Sequence, residues 1–228
     1  IPTLCYIKDL LPDGSCRMCM VEIESRGRTK METACTAQVS EGLVVTTNSE
    51  KVRNARRNIL DMLLSNHKTD CFSCPSNGDC KLQELCFEYG IERTTYSGEQ
   101  TELPIDDSNK FFTYNPNLCI LCHRCVNTCH KIVGRGAIDT MERGFDSAIG
   151  TPFHIDWADT NCESCGNCVQ ACPTGALTMK RRKNYRKYQI DKKVLTTCPH
   201  CATGCQYYLL VKDNKIVDVE AADGPSNK

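Results

Sequence analysis

The chain has 228 residues, among them 19 cysteines, and sets 28 Lys and Arg against 28 Asp and Glu. Balanced charge leaves no overall field to draw in nucleic acid or an anionic membrane, and no apolar run approaches the roughly 20 residues of a membrane span. Cysteine makes up about 8% of the chain, which leaves disulfide scaffolds and metal proteins in play, but an odd count cannot close entirely into disulfides. Most cysteines are separated from another by only two or three residues, so dense metal ligation is the better reading. Thiolate ligands without a secretory signal point to a reducing cytoplasm.

In chain order, residues 1–48 carry Cys5, Cys16, Cys19 and Cys35 among short β-like runs, Met20-Val21-Glu22-Ile23 and Leu43-Val44-Val45-Thr46. Residues 49–110 open with a predicted helix capped by Ser49. Its Val52, Ala55, Ile59, Leu60, Leu63 and Leu64 recur at helical spacing and read as core packing. His67, Cys71, Cys74 and Cys80 follow, then a short helix over 81–89 stopped by Gly90, then a connector over 91–110. Across 111–180 the chain repeats itself: Cys119, Cys122, Cys125 and Cys129 have the spacing of Cys162, Cys165, Cys168 and Cys172. Each run leads to a matching tripeptide, Gly136-Ala137-Ile138 and Gly175-Ala176-Leu177, so one supersecondary unit is present twice.

Residues 181–193 form a basic, tyrosine-bearing stretch. A nucleic-acid patch is one reading, a solvated linker lying against an acidic neighbour the other, and neutral overall charge favours the linker. Residues 194–228 read as a cysteine-rich turn, a strand over 206–212, a turn at Asp213-Asn214 and a strand over 216–220. The opening Ile1-Pro2-Thr3-Leu4-Cys5 has no initiator Met and a polar turn over 222–228 closes the chain, so the sequence reads as an internal piece of a longer protein.

The duplicated run is the most specific signal. Cys-x2-Cys-x2-Cys-x3-Cys delivers three thiolates within little more than two turns of chain, closer than one tetrahedral zinc usually takes them, whereas a cubane offers each thiolate its own iron. Zinc remains the alternative. Over 117–179 the chain resembles the bacterial two-cluster ferredoxins, with Pro173 after Cys172 as expected and His130 after Cys129 as a departure. The resemblance implies that the fourth cysteine of each run serves the other cluster. Cys119, Cys122, Cys125 and Cys172 would hold one 4Fe–4S cluster, and Cys162, Cys165, Cys168 and Cys129 the second.

Cys5-x10-Cys16-x2-Cys19-x15-Cys35 supplies four thiolates but departs from the plant-type 2Fe–2S spacing. With its flanking text it resembles the 2Fe–2S domain of the large iron–sulfur subunit of complex I, which implies a β-grasp fold lacking its first hairpin here. Cys71, Cys74 and Cys80 leave one ligand short, and His67 and Cys86 compete for the place. The whole string resembles the histidine-plus-three-cysteine 4Fe–4S motif of that family, which favours His67 and leaves Cys86 a buried free thiol. Cys198, Cys201 and Cys205 again suit a cubane, with His200 a spacer. The text from Thr197 to Cys205, and the hairpin after it, resemble the opening of molybdenum- or tungsten-dependent formate dehydrogenases. These sets use 18 of the 19 cysteines. His123, His130 and His154 read as local hydrogen-bonding residues, and no catalytic residue is expected.

The resulting fold class is α+β, a chain of small iron–sulfur modules. In order these are a β-grasp 2Fe–2S domain, a helical histidine-plus-three-cysteine 4Fe–4S domain, a two-cluster ferredoxin-like domain and the start of a molybdopterin oxidoreductase 4Fe–4S domain. The complex I subunit is expected to share the first two modules but not the ferredoxin unit. Iron-only hydrogenases share the first three but continue differently. The module order therefore resembles the catalytic subunit of an NAD-linked or electron-bifurcating formate dehydrogenase. That resemblance implies one 2Fe–2S and four 4Fe–4S clusters and a bis-pterin guanine dinucleotide molybdenum or tungsten centre elsewhere in the protein. It also implies a flavin- and NAD(P)-binding diaphorase subunit with a small 2Fe–2S subunit, or ferredoxin, as partners. A hydrogenase subunit and a non-catalytic polyferredoxin are the alternatives.

Overall fold

The computed structural model describes residues 1–228 apart from Arg26, Asp223, Pro225 and Lys228, and the backbone alone at Lys183 and Asn184. The polar turn expected over 222–228 thus lies partly outside the described residues. The chain forms two compact units, Ile1–Lys180 and Arg181–Lys228. No described helix is long and apolar enough to cross a membrane.

In the first unit, β1 (Met20–Ser25) lies between β2 (Arg28–Thr33) and β3 (Val44–Thr46), antiparallel to both. Met20 faces Thr33 and Glu22 faces Thr46 across the ladders. Alternation along β1 sends Val21 and Ile23 inward, so one sheet face is apolar. Helix α1 (Glu50–Ser65) starts where Ser49 accepts the Val52 N–H at 3.2 Å and donates to the Glu22 carboxylate, which pins the helix to β1. Helix α2 (Lys81–Glu88) ends before Gly90, whose φ of 65° is the left-handed conformation that closes a helix. Leu60 and Leu64 of α1, Leu82 and Leu85 of α2, Leu4, Met18 and Ile120 form one core.

The second core belongs to the repeat. β4 (Phe112–Tyr114) pairs with β7 (Leu177–Met179), and β5 (Asp139–Met141) with β6 (Ala148–Gly150), so each half of the duplication lends strands to the other. Two short helices, α3 (Arg124–Asn127) and α4 (Asn167–Ala171), follow the equivalent cysteine loops, and α3 runs on into a wider turn over Thr128–Val133. Trp157 fills the middle, edge-on to Phe112 at 5.1 Å and tilted against Tyr114 at 5.4 Å.

The second unit is a three-stranded antiparallel sheet of order β10-β9-β8: β8 (Lys192–Thr197), β9 (Gln206–Lys212) and β10 (Lys215–Ala221). Asp213 and Asn214 turn the hairpin with φ of 50° and 57°, as a tight two-residue loop requires. The basic stretch belongs to this unit and lies along its sheet, with most of its side chains exposed or half-buried. Tyr185 is buried and donates its hydroxyl to Asp218, Arg181 pairs with the same carboxylate, and Lys187 and Lys193 reach Glu220 at 3.2 and 2.6 Å. An acidic neighbour is there, in the hairpin itself.

Candidate metal centres

The two cysteine loops of the repeat have the same backbone. Leu121 and Ser164, each two residues past the first cysteine, take positive φ values of 50° and 55°, and His123 and Gly166 follow at 59° and 77°. A leucine in that region is strained, and the gain is local: the turn aims main-chain N–H groups at sulfur. Leu121 N–H points to Cys119 Sγ and Ser164 N–H to Cys162 Sγ, each at 3.4 Å. Ala137 N–H donates to Cys129 Sγ at 3.3 Å, Asn167 Nδ2 to Cys165 Sγ at 3.4 Å, and Thr174 Oγ1 lies 3.7 Å from Cys172 Sγ. Such donors stabilise thiolates and tune clusters bound to them.

Burial, then the neighbouring Cys172 and Cys119 thiols, pushes Cys122 up to about 12 and Cys125 well above the usual thiol range. Burial also lifts Cys168 to about 12, helped by Cys162, Cys165 and Cys129. The two groups of neighbours therefore cross between the runs: Cys172 lies with the first three cysteines, and Cys129 with the second three. A cavity lined by Cys129, Cys162, Cys165 and Cys168, with Phe112 and Trp157 as apolar wall, opens at the latter group. Without metal these buried thiols are neutral, and bound iron would reverse that by displacing the protons.

At the first set, Gly14 and Arg17, with φ of 65° and 57°, bend the loop that carries Cys16 and Cys19. Leu4 N–H donates to Cys16 Sγ at 3.4 Å. Cys16 is drawn down to about 5 by the Cys5 thiol that donates to it, while the same bond, with burial, raises Cys5. Cys35 rises to about 11 through burial and then its hydrogen bond with Cys19. All four cysteines thus share one neighbourhood.

His67 is buried, its Nδ1 makes no hydrogen bond, and burial lowers it to about 4, so the ring is a neutral imidazole with a free lone pair or proton position. Cys71, Cys74 and Cys80 influence one another, and Cys80 is raised to about 11 chiefly by burial. Cys86 is also raised to about 11 by burial, with Cys80 and Cys71 next to it. The repeat closes on this site: Lys81 N–H donates to the Pro173 carbonyl at 2.8 Å, and a Cβ on Gly175 would meet Cys74 Sγ at 2.6 Å.

In the second unit Cys198 N–H donates to the Cys205 carbonyl at 2.7 Å, closing the cysteine turn, and Thr203 draws the exposed Cys201 thiol down by hydrogen bonding. Three other histidines make ordinary bonds: His130 with the Ile138 carbonyl at 2.9 Å, His123 with Thr140 at 3.4 Å, His154 with Glu142 at 2.9 Å. Among the described residues no three His, Cys, Asp or Glu side chains converge as ligands of a single ion do. Grouped thiols that accept main-chain N–H bonds, with an open space at Cys129, Cys162, Cys165 and Cys168, fit a multi-iron cluster, where each corner iron takes one ligand. Sequence reasoning missed the sulfur-directed amides and hydroxyls, since backbone donors leave no signature in residue type.

Family comparisons follow the same modules. Residues 1–50 match the 2Fe-2S iron-sulfur cluster binding domain, 56–95 the NADH-ubiquinone oxidoreductase-G iron-sulfur binding region, and 111–178 the ferredoxin-like domain of NADH-quinone oxidoreductase subunit 3. Residues 161–208 match a 4Fe-4S dicluster domain and 191–228 the molybdopterin oxidoreductase Fe4S4 domain. The dicluster match takes in both the Cys162 run and the Cys198 run. Within the first unit the Cys162 run packs in one core with the Cys119 run. A ferredoxin-like unit at 111–178 also corrects the expectation that the complex I subunit lacks one.

These modules define an iron–sulfur electron-transfer protein. The α subunit of an NADPH-Fe(3+) oxidoreductase from Geobacter sulfurreducens is 39% identical over 227 residues, covering 100% of this chain and 26% of its own length. A Staphylococcus aureus protein whose name assigns it provisionally to formate dehydrogenase is 28% identical over 270 residues, covering 100% of this chain and 27% of itself. In the crystal structure of an NAD+-reducing NiFe-hydrogenase in the H2-reduced state, one chain superposes with a TM-score of 0.72 at 31% identity, over 79% of this chain and 75% of that one. The chain belongs to the NADH-quinone oxidoreductase G-like family of iron–sulfur subunits. It spans about a quarter of the length of these curated relatives.

Proposed function

We propose that this chain is the electron-carrying region of a molybdenum- or tungsten-dependent formate dehydrogenase. Cys5, Cys16, Cys19 and Cys35 hold a 2Fe–2S cluster, and His67, Cys71, Cys74 and Cys80 a 4Fe–4S cluster. Cys119, Cys122, Cys125 and Cys172 hold a second cubane, and Cys162, Cys165, Cys168 and Cys129 a third. Cys198, Cys201 and Cys205 begin a fourth. Bound clusters would supply one-electron transfer. The chain's own part is to hold them, exclude water and aim N–H groups at their sulfurs. The observation that carries the reading is the match of 191–228 to the molybdopterin oxidoreductase Fe4S4 domain behind three other modules. It also counts against a hydrogenase continuation. No residue here breaks a bond to formate. The partners are a flavin- and NAD(P)-binding subunit and a small 2Fe–2S subunit, or ferredoxin, and thiolate ligation suits the cytoplasm.

A second reading follows from the 39% identity to the NADPH-Fe(3+) oxidoreductase subunit: electrons arrive from NADPH, and formate is not a substrate. The test is anaerobic bleaching of cluster absorption in the purified complex. Bleaching by formate, with molybdenum or tungsten bound, supports the first reading. Bleaching by NADPH alone, without response to formate, replaces it with the second.

A further inference from the structure

Helix α1 buries one row of side chains at four-residue spacing: Val52, Arg56, Leu60 and Leu64. Three are aliphatic. The second is a guanidinium that is 3% exposed. Its Nη2 donates to the Met20 carbonyl at 2.8 Å, its Nη1 to the Tyr89 hydroxyl at 3.0 Å, and its Nε has no partner. Both acceptors are neutral, and no carboxylate among the described residues pairs with Arg56. Glu22 of β1 is engaged by Ser49 and Lys51 instead.

An arginine cannot shed its proton to escape burial, and a buried charge without a counter-charge is strongly disfavoured. The missing negative charge has one evident source. Met20, which holds the guanidinium, directly follows Cys19, and Cys5 and Cys16 sit in the same core as Leu60 and Leu64 on the Arg56 row. In a 2Fe–2S centre four thiolates and two sulfides outweigh two ferric ions, and reduction adds one more negative charge.

We infer that Arg56 is the buried counter-charge of the 2Fe–2S centre and holds its reduction potential up. The inference rests on the reading of Cys5, Cys16, Cys19 and Cys35 as that centre's ligands. It makes Arg56 more than a strut between β1 and α2, because a strut acts through its hydrogen bonds whereas a counter-charge acts through its charge.

The test separates the two roles in the intact complex by redox titration of the 2Fe–2S electron paramagnetic resonance signal. Arg56→Gln is expected to shift the reduced-to-oxidised ratio at fixed ambient potential about tenfold toward oxidised, ~59 mV for a one-electron couple. Arg56→Lys, which keeps the charge and loses the fork, and Tyr89→Phe, which loses one bond, are expected to lower thermal stability and leave the ratio within about twofold. An unchanged ratio in Arg56→Gln overturns the inference. Should that variant not assemble, Arg56→Lys decides, and a tenfold shift there overturns it equally. Failure of the underlying ligand reading looks different: the unaltered protein would show no 2Fe–2S signal, or Cys35→Ser would leave that signal intact.

Discussion

His67 is the clearest case of a single side chain on which a proposed centre turns. A buried imidazole with no partner at Nδ1 is costly unless something occupies that position, and Cys71, Cys74 and Cys80, which follow it closely in sequence, need a fourth companion. His67→Ala should remove the cluster at Cys71, Cys74 and Cys80, while His67→Cys should keep one with a lower potential, since a thiolate adds negative charge where imidazole adds none. Cys86→Ser should leave the cluster in place. Low-temperature electron paramagnetic resonance on the three variants checks this, and loss of the signal in Cys86→Ser alone would reverse the assignment. Gly175 makes a second point about close approach. Its missing Cβ is the space that Cys74 Sγ occupies, with Leu118 also close at 3.3 Å. Gly175→Ala should therefore displace Cys74 and lower iron content by up to about four per chain, with the His67-site signal lost first. Full retention of that signal would mean the approach is looser than described.

The duplicated loops were legible in the sequence because their chemistry needs fixed cysteine spacing, and their helices α3 and α4 follow from it. The pairing of Cys172 with the first run came from resemblance to ferredoxins; the strands that enforce it, β4 on β7 and β5 on β6, are three residues each and too short to show a period. Cys129→Ser should then impair the cluster beside Cys162, Cys165 and Cys168 and spare the one beside Cys119, Cys122 and Cys125. Mössbauer spectra of the enriched variant distinguish the sites, and loss at the Cys119 side would refute the crossing. Other elements were hidden for a physical reason. No strand was expected over Arg28–Thr33 or Lys192–Thr197: β2 and β8 are edge strands, and charged edge residues, which discourage pairing with other chains, leave little apolar alternation to read. Arg56 was hidden too: the apolar stripe of α1 was readable, but a charge inside that stripe looks like its solvent face until burial is known.

The first unit joins its candidate centres through shared packing. One core joins the Cys5 and Cys16 loop to α1, α2, Ile120 and Cys122, and the other gathers both cysteine runs together with Cys74. Candidate centres in the first unit are thus held by common side chains, and electron transfer between them does not depend on mobile linkers. The second unit, with three thiols and no fourth cysteine in its sequence, should hold a cluster more weakly than the others do. Iron and acid-labile sulfide on this chain after anaerobic reconstitution, measured with the cluster-type signals, test the electron-carrying role most directly. About 14 irons are expected, as one 2Fe–2S and three 4Fe–4S centres, or about 18 where the Cys198 site fills as well. Stoichiometric zinc, or one or two cubanes with no 2Fe–2S signal, would contradict it.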